Sequence, residues 1–350
     1  MPGARSIVVA GAGAIGRTVG YVLARAGHAV TVVDPDPDGG RASRIAAGML
    51  APAFESLFDG GGHFAMLREA LGRWEPLSRE IGLPIARDGA MAVGTRTQAE
   101  GWAAELAGLG VDAALRDLGG GRWAAFSDLD CQLDAETALR LLQRAAEPLG
   151  AWYVTGRVRG FAGGVVDIEG AEPIAIDALV IATGADQSLA PLAPELANLT
   201  PIKGHILRGA RASSGSAVVR TPAVYVCRTP RGVILGATME VGLADTTVDP
   251  AVVERLLADG VRLSEDLSRL TWTAAAGVRA ATPDGLPMVG ASTTPNVILA
   301  VGARRNGWLL APMIADVVLG AVEGRPASPI AERFDPKRRR AVERDDRESA

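Results

Sequence analysis

The chain has 350 residues, with 36 basic against 40 acidic side chains and a net charge of −4, a balance that offers no concentrated cationic face for nucleic acid. Its length exceeds what one core of ordinary size needs, so two closely packed domains are expected. Cys131, Cys227, His28, His63 and His205 are the only cysteines and histidines, without CxxC or HxxxH spacing, so no metal site is expected and a cofactor must carry any difficult chemistry.

Met1 to Ser6 run straight into an apolar strand, Ile7 to Ala10, without the long apolar segment of a secretory leader, so a cytoplasmic location is expected. A glycine turn and a helix follow, with Ile15, Val19, Val22, Leu23 and Ala26 at helical spacing and Gly27 as its end. The next strand, Ala29 to Val33, finishes at Asp34. The turn reads Gly11-Ala12-Gly13-Ala14-Ile15-Gly16, between a strand and a helix, where a dinucleotide-binding fold needs it. Gly11 permits the tight turn, Gly13 lets backbone approach a pyrophosphate, and Gly16 lets helix and strand pack closely. The phosphates meet the free N–H groups of the helix's first turn, at Ala14 and Ile15. Asp34 lies about 20 residues on, where a carboxylate accepts ribose hydroxyls and disfavours a 2′-phosphate. NAD and FAD share this ADP cradle, so the turn alone does not separate them.

Farther along, Asp134 is a plausible N-cap for an amphipathic helix with Ala138, Leu141, Leu142 and Ala145 on one face. An apolar strand, Ala178 to Ala182, runs into Thr183-Gly184. Between Ala217 and Thr238, short strands with turn signals predict an antiparallel sheet. Pro250 to Leu270 looks helical, with Val253, Leu256 and Leu257 facing inward. Last come a strand, Val297 to Val301, the loop GARRNG and an apolar helix from about Leu309 to Glu323. The helix's apolar run is cut by Asp316 and falls short of a bilayer, so no membrane span is expected. Beyond Pro329 the composition turns to charge, which predicts a solvated tail.

Four further segments, ASRIAAGMLAP (42–52), IKGHIL (202–207), GVRAATPDGLPMVG (277–290) and GARRNGWLLAP (302–312), resemble the D-amino-acid oxidase superfamily, most closely its glycine oxidases of thiamine biosynthesis. The resemblance runs from about Ile7 to Glu323. It implies a non-covalent FAD, with Ala47, Gly48 and Met49 along the pyrophosphate and flavin ring. Val158 would meet the adenine through its backbone, and Ala182, Thr183 and Gly184 would form a second contact. Arg305, Asn306, Gly307, Trp308 and Leu309 would lie by the ring's pyrimidine edge, where positive potential and N–H donors favour negative charge. It also implies Arg279 as the arginine that grips a substrate carboxylate. Tyr225 would be a second donor to that carboxylate, and Met239 a residue lining the pocket. Where the family has a histidine-aromatic pair before RNG, this chain has Ala303-Arg304.

His205 reads as a structural hydrogen-bond partner rather than a proton carrier, and Cys227 as packing within a strand. Lys203 is either structural or a contact at the site entrance. The expected architecture is α/β: a Rossmann-like FAD-binding domain from 1–85, 135–200 and 273–330, and a substrate domain on a mixed or antiparallel sheet from 86–134 and 201–272. Residues 331–350 would form the charged tail. The expected activity is oxidative deamination of glycine, sarcosine or a small D-amino acid, dioxygen taking the electrons and hydrogen peroxide forming. Alternatives are a dehydrogenase with another acceptor, a flavoprotein without catalysis and an NAD-dependent dehydrogenase. Homo-oligomerisation stays open.

Overall fold

Val8 and Val9 are fully buried side by side in the first strand, which happens only when both faces of a sheet are covered, as in parallel α/β folds. The computed structural model describes residues 3–36, 38, 41–59, 62–210, 217–229 and 231–338. The first part of the chain supplies β1 (Ser6–Ala10), α1 (Ala14–Arg25), β2 (Ala29–Asp34), α2 (Pro52–Phe58), α3 (Phe64–Ile81), β3 (Ala90–Gly94), α4 (Ala135–Ala146), β4 (Trp152–Thr155) and β5 (Ala178–Ile181). Then follow β6 (Thr200–Gly209), β7 (Val218–Arg220), β8 (Tyr225–Thr229), β9 (Gly232–Gly236), α5 (Pro250–Leu263), β10 (Trp272–Ala281), β11 (Met288–Ala291), β12 (Val297–Val301), α6 (Gly307–Val322) and α7 (Pro329–Phe334).

A six-stranded sheet has the order β11-β12-β5-β1-β2-β4, parallel except for β11. On one face α1, α3, α4 and α6 bury Val19, Trp74, Leu139 and Met313 in one cluster. The other face carries a small antiparallel sheet, Val158–Ala162, Val165–Ile168 and Ile174–Ala175. Arg17 ties α1 into this layer from beneath: its Nε donates to the Ala12 carbonyl at 2.9 Å and Nη1 to the Leu139 carbonyl at 3.1 Å. The predicted cap of α4 is present, with the Asp134 side chain accepting from the Thr137 amide at 2.8 Å.

The second sheet has nine strands. β6 pairs along ten residues with β10 on one side, and with β9 and Glu240–Val241 on the other. From β9 the order continues through β8, β7 and β3 to Arg122–Ser127 and Ala114–Gly119. Three expectations change here. Residues 273–281, assigned above to the FAD-binding part, belong to β10 in this sheet, because ten residues of β6 offer them a complete set of backbone partners. The strands between 217 and 238 are antiparallel to each other, but β7 joins β3 in parallel. Helix α5 buries Val252, Leu256, Gly260 and Leu263, with Val253 and Leu257 only half-buried. Gly260 sets that phase, since a Cβ there would sit 2.4 Å from the Leu235 side chain.

Residues 331–338, expected as part of a charged tail, are folded onto the helical layer. Ser328 caps α7, Phe334 is fully buried against the helical layer, and the Arg338 guanidinium meets Asp284 at 2.7 Å and the Pro287 carbonyl at 2.9 Å. The apolar spacing of Ile330 and Phe334 on one helix face overrides the average charge of the segment. Residues 339–350 of the expected tail lie outside the described residues. No helix among the described residues is long and apolar enough to cross a membrane. Phe334→Ala should lower the unfolding free energy by about 3–5 kcal/mol, as emptying an aromatic site in a core does. Denaturant midpoints measured with the m-value unchanged will show it, and a free tail would leave the midpoint where it was.

Candidate active site

Backbone crowding shapes the glycine turn. Gly11 has φ +109°, donates its N–H to the Val33 carbonyl at 2.7 Å, and would put a Cβ 2.4 Å from the Ala182 carbonyl oxygen. A Cβ on Gly16 would lie 1.9 Å from the Gly11 oxygen, so α1 can seat against the turn only without a side chain there. Gly13 caps α1 with extended backbone and no side-chain cap, and Ser43 Oγ accepts from the Ala14 amide at 3.0 Å. Asp34 braces the turn: Oδ2 accepts from the Ala12 amide at 2.7 Å and Oδ1 from the Asp36 amide at 2.9 Å. Each oxygen keeps a further lone pair, so bracing and binding a hydroxyl are compatible.

Two cavities meet above this turn. The larger, about 760 Å³, is lined by Gly11, Gly13, Ala14, Ile15 and Asp34, by Val158, by Ala182, Thr183 and Gly184, and by Arg305, Gly307 and Trp308. The smaller, about 330 Å³, is lined by Ala47, Gly48 and Met49 on one side and by Tyr225, Met239 and Arg279 on the sheet side, with Asn306. Arg279, Arg305 and Trp308 border both. Asn306 begins α6 without a side-chain cap, so the amino ends of α1 and α6 both lie on cavity walls, a setting that favours negative charge. Gly48 bends its loop into place with φ +73°, where a Cβ would meet the Leu133 oxygen at 2.1 Å. Two residues expected at the cofactor line neither cavity: Gly16 packs under the turn, and Leu309 is 1% exposed in the helical core. One turn of helix separates what faces the cavity from what faces the core, and Leu309 falls on the core side.

Arg279 lies on β10 opposite Ile202, with its guanidinium over Gly204, where a Cβ would be 2.3 Å from Nη1. Nη1 donates to the Thr238 carbonyl at 3.1 Å and to Met239 Sδ at 3.6 Å. Arg279 makes no ion pair with a carboxylate among the described residues. Partial burial lowers its pKa, yet a guanidinium does not deprotonate in a protein, so a half-buried cation borders both cavities. Burial raises the Tyr225 pKa, so its phenol stays neutral and able to donate. Met239 is 36% exposed, a rim rather than a wall.

The sequence reading missed Glu55 and Arg220. Glu55 is buried on α2 between Arg220 Nη2 at 3.1 Å and Arg305 Nη2 at 2.5 Å. Burial works to raise its pKa, but the two guanidinium groups outweigh that and hold it low. Asp59 completes the group, 2.9 Å from Arg305 and 3.0 Å from Arg304. Arg305, expected to lend positive potential to a ring, is thus largely neutralised, and Arg304 faces Asp59. Behind α2, Asp130 accepts the amides of Ala53 and Phe54 at 2.8 and 3.1 Å. A signal for Arg220 existed, since period-two alternation from buried Val218 points it inward.

Lys203 and His205 hold a loop. Lys203 Nζ meets Asp245 at 2.6 Å, while His205, fully buried, meets Glu240 through Nδ1 at 2.8 Å and accepts the Asp249 amide at Nε2. Both are structural. Neither Cys131 nor Cys227 lines a cavity, and burial pushes the Cys227 thiol up to about 12.

The family described as FAD dependent oxidoreductase matches residues 6–319. A protein of Nostoc sp. named bifunctional protein ThiO/ThiG is 32% identical over 94% of this chain, and this chain spans 54% of that protein's length. A D-amino acid dehydrogenase of Cereibacter sphaeroides is 29% identical over 91% of this chain and 92% of its own. Among solved structures, glycine oxidase from Geobacillus kaustophilus superposes with a TM-score of 0.84, covering 96% of this chain and 99% of its own at 24% identity, a likeness of fold.

The buried carboxyl group of Asp130 gives this region a pH signature. Burial raises its pKa to about 7, against the lowering pull of the Ala53 and Phe54 amides. Between about pH 4 and pH 7 the folded chain keeps a proton that the unfolded chain has released. The stabilising contribution is therefore complete below about pH 4 and disappears as pH rises through about 7, by about 4 kcal/mol at most. Unfolding free energies across that range should fall with pH in the native chain and fall less steeply in Asp130→Asn; equal slopes would reject the assignment.

Proposed function

The chain belongs to the FAD-dependent oxidoreductase family, and on that premise we propose that it oxidises the carbon–nitrogen bond of a small amine bearing a carboxylate, with dioxygen as electron acceptor. Glycine, sarcosine and small D-amino acids are the substrates. The observation that carries this reading is Arg279, a half-buried guanidinium that pairs with no carboxylate among the described residues, at the junction of the two cavities. A group left so is a ready receptor for a carboxylate, since charge-assisted bidentate pairing is the strongest recognition a guanidinium makes.

The larger cavity fits FAD. Its floor is a turn where Cβ atoms at Gly11 and Gly16 have no room, and two helix amino ends whose N-cap residues give no side-chain hydrogen bond border the cavities, the Ala14 amide alone meeting Ser43 Oγ. Gly13, Ala14 and Ile15 would take the phosphates, Asp34 and Val158 the adenosine end, and Gly307 and Trp308 the ring, whose far side would reach the boundary with the smaller cavity at Gly48, Met49 and Asn306. FAD, when bound, supplies a two-electron acceptor. Arg279 fixes the substrate carboxylate, and the neutral Tyr225 phenol offers that carboxylate a second donor. Neither histidine nor lysine lines the smaller cavity, and Glu55 is held ionised by two guanidinium groups, so these residues act by orientation rather than as a general base. The amine therefore enters neutral and loses two electrons and two protons, and the resulting imine takes up water and releases ammonia, or methylamine from sarcosine, to give the oxo acid. Dioxygen, receiving the electron pair and two protons, leaves as hydrogen peroxide.

A dehydrogenase with another acceptor is the second reading, favoured by the relative named D-amino acid dehydrogenase that matches nearly the whole chain. Peroxide release measured beside dye reduction separates the two. With a panel of amines under anaerobic conditions, the yellow absorbance should bleach for carboxylate-bearing amines and persist for amines without one. Arg279→Met should keep bound flavin while kcat/KM for those substrates drops by about 30- to 1000-fold, the range for losing one partner of a buried charge pair. Unchanged kinetics would remove Arg279 from the role.

A further inference from the structure

We propose that the smaller cavity is built for an amine with two carboxylates, the first gripped by Arg279 and the second by Arg220. This rests on the reading of that cavity as the amine-oxidising site. The charged residues lining it are Arg220, Arg279, Arg305 and Glu55, three guanidinium groups against one carboxylate. Arg305 is met by both Glu55 and Asp59, which leaves Arg279 and Arg220 as the guanidinium groups on that wall with donors open to a ligand.

Arg220 is 5% exposed, and its Nε and Nη1 have no hydrogen-bond partner, although Nη2 is anchored on Glu55 at 3.1 Å. Buried donors in folded proteins are nearly always satisfied, so an orphaned pair on a guanidinium bordering a cavity marks a place for an acceptor. Glu55 acts here as a positioning residue. It fixes one arm of the guanidinium, and the Phe58 ring lies 5.0 Å from its central carbon, so the group is held in one orientation before any ligand arrives. Asp130, the other carboxyl group nearby, is engaged with the Ala53 and Phe54 amides and makes no hydrogen bond to Arg220.

Strand register places the two arginines at opposite ends of one face. Arg220 on β7 pairs with Tyr225 on β8, Tyr225 with Gly236 on β9, and Gly236 with Ile206 on β6. The Tyr225 hydroxyl lies over Gly236, and the Arg279 guanidinium over Gly204, two residues from Ile206. Arg220 on β7 and Arg279 on β10 stand four strand spacings of about 4.8 Å apart, the Arg279 side chain crosses one of them to lie over Gly204 on β6, and both residues line the same cavity. Tyr225 stands between them, and the charges of both Arg279 and Arg220 bear on its phenol. Neither residue spacing nor composition reveals this arrangement, because its members come from five strands.

The test uses the flavin-loaded enzyme. Values of kcat/KM for D-aspartate, D-glutamate and iminodiacetate should exceed those for D-alanine, glycine and sarcosine by about 10-fold or more. Arg220→Gln should bring that preference ratio down to about one, while Arg220→Lys, which keeps the charge but not the fork, should retain part of it. Should the glutamine variant fail to fold or to hold flavin, calorimetry on the native enzyme decides: succinate and malonate should bind at least about 10-fold more tightly than propionate. Equal preference for one- and two-carboxylate amines, or equal binding of succinate and propionate, overturns the proposal. If no amine bleaches the flavin yet succinate binds selectively, the oxidase reading fails and the two-arginine site stands.

Discussion

Glu55 lies between two guanidinium groups that reach it from residues 220 and 305, and the cavity walls depend on that shared carboxylate. Its partners come from β7 and from the turn before α6, and its own helix from a third part of the chain, so it joins three segments distant in sequence. Withdrawing such charges from water costs several kcal/mol per ion, and pairing recovers that only when each charge is matched. Here the match is incomplete, since Arg220 and Arg305 both retain nitrogens without hydrogen bonds. A hydrophobic trio would be easier to bury; a wall of this kind is better explained by what it binds than by what it stabilises.

The arginines around the cavities divide into two kinds by their partners. Arg304 and Arg305 are met by Asp59 and Glu55, so their fields close on the protein itself. Arg279 has only a carbonyl and a sulfur, and Arg220 is satisfied at one nitrogen of three. A cation with an internal counterion orients other groups, whereas one without an internal counterion draws in an anion. The same contrast separates the histidines and lysines of ordinary catalytic sites from His205 and Lys203, whose side chains are spent holding the 240–249 loop against β6.

The glycine turn works by a different constraint, space rather than charge. Gly11 and Gly16 let backbone meet backbone, so α1 starts directly over the end of β1 and points its amino end into the larger cavity. Asp34 and Arg17 brace the turn from two sides, one taking its amide and the other a carbonyl. A rigid cradle of this sort lets the fold spend binding energy on the ligand rather than on ordering its own loop.

Local pattern made much of this legible. The strand, glycine turn, helix and terminal acid of the first unit are consecutive, and their order alone places the glycine turn that borders the larger cavity; the motif around Arg279 likewise marked a residue that lies at a cavity. Residues 331–338 were misjudged because charge content was weighed above the spacing of Ile330 and Phe334, and β10 was misassigned because a strand's partner is not written in the strand. Glu55, Arg220 and the orientation of Leu309 were decided by tertiary structure alone. An arginine reads the same in sequence whether it meets a carboxylate or an open cavity, and only the folded sheet, by choosing which strands stand side by side, settles which of them keeps its charge for a ligand.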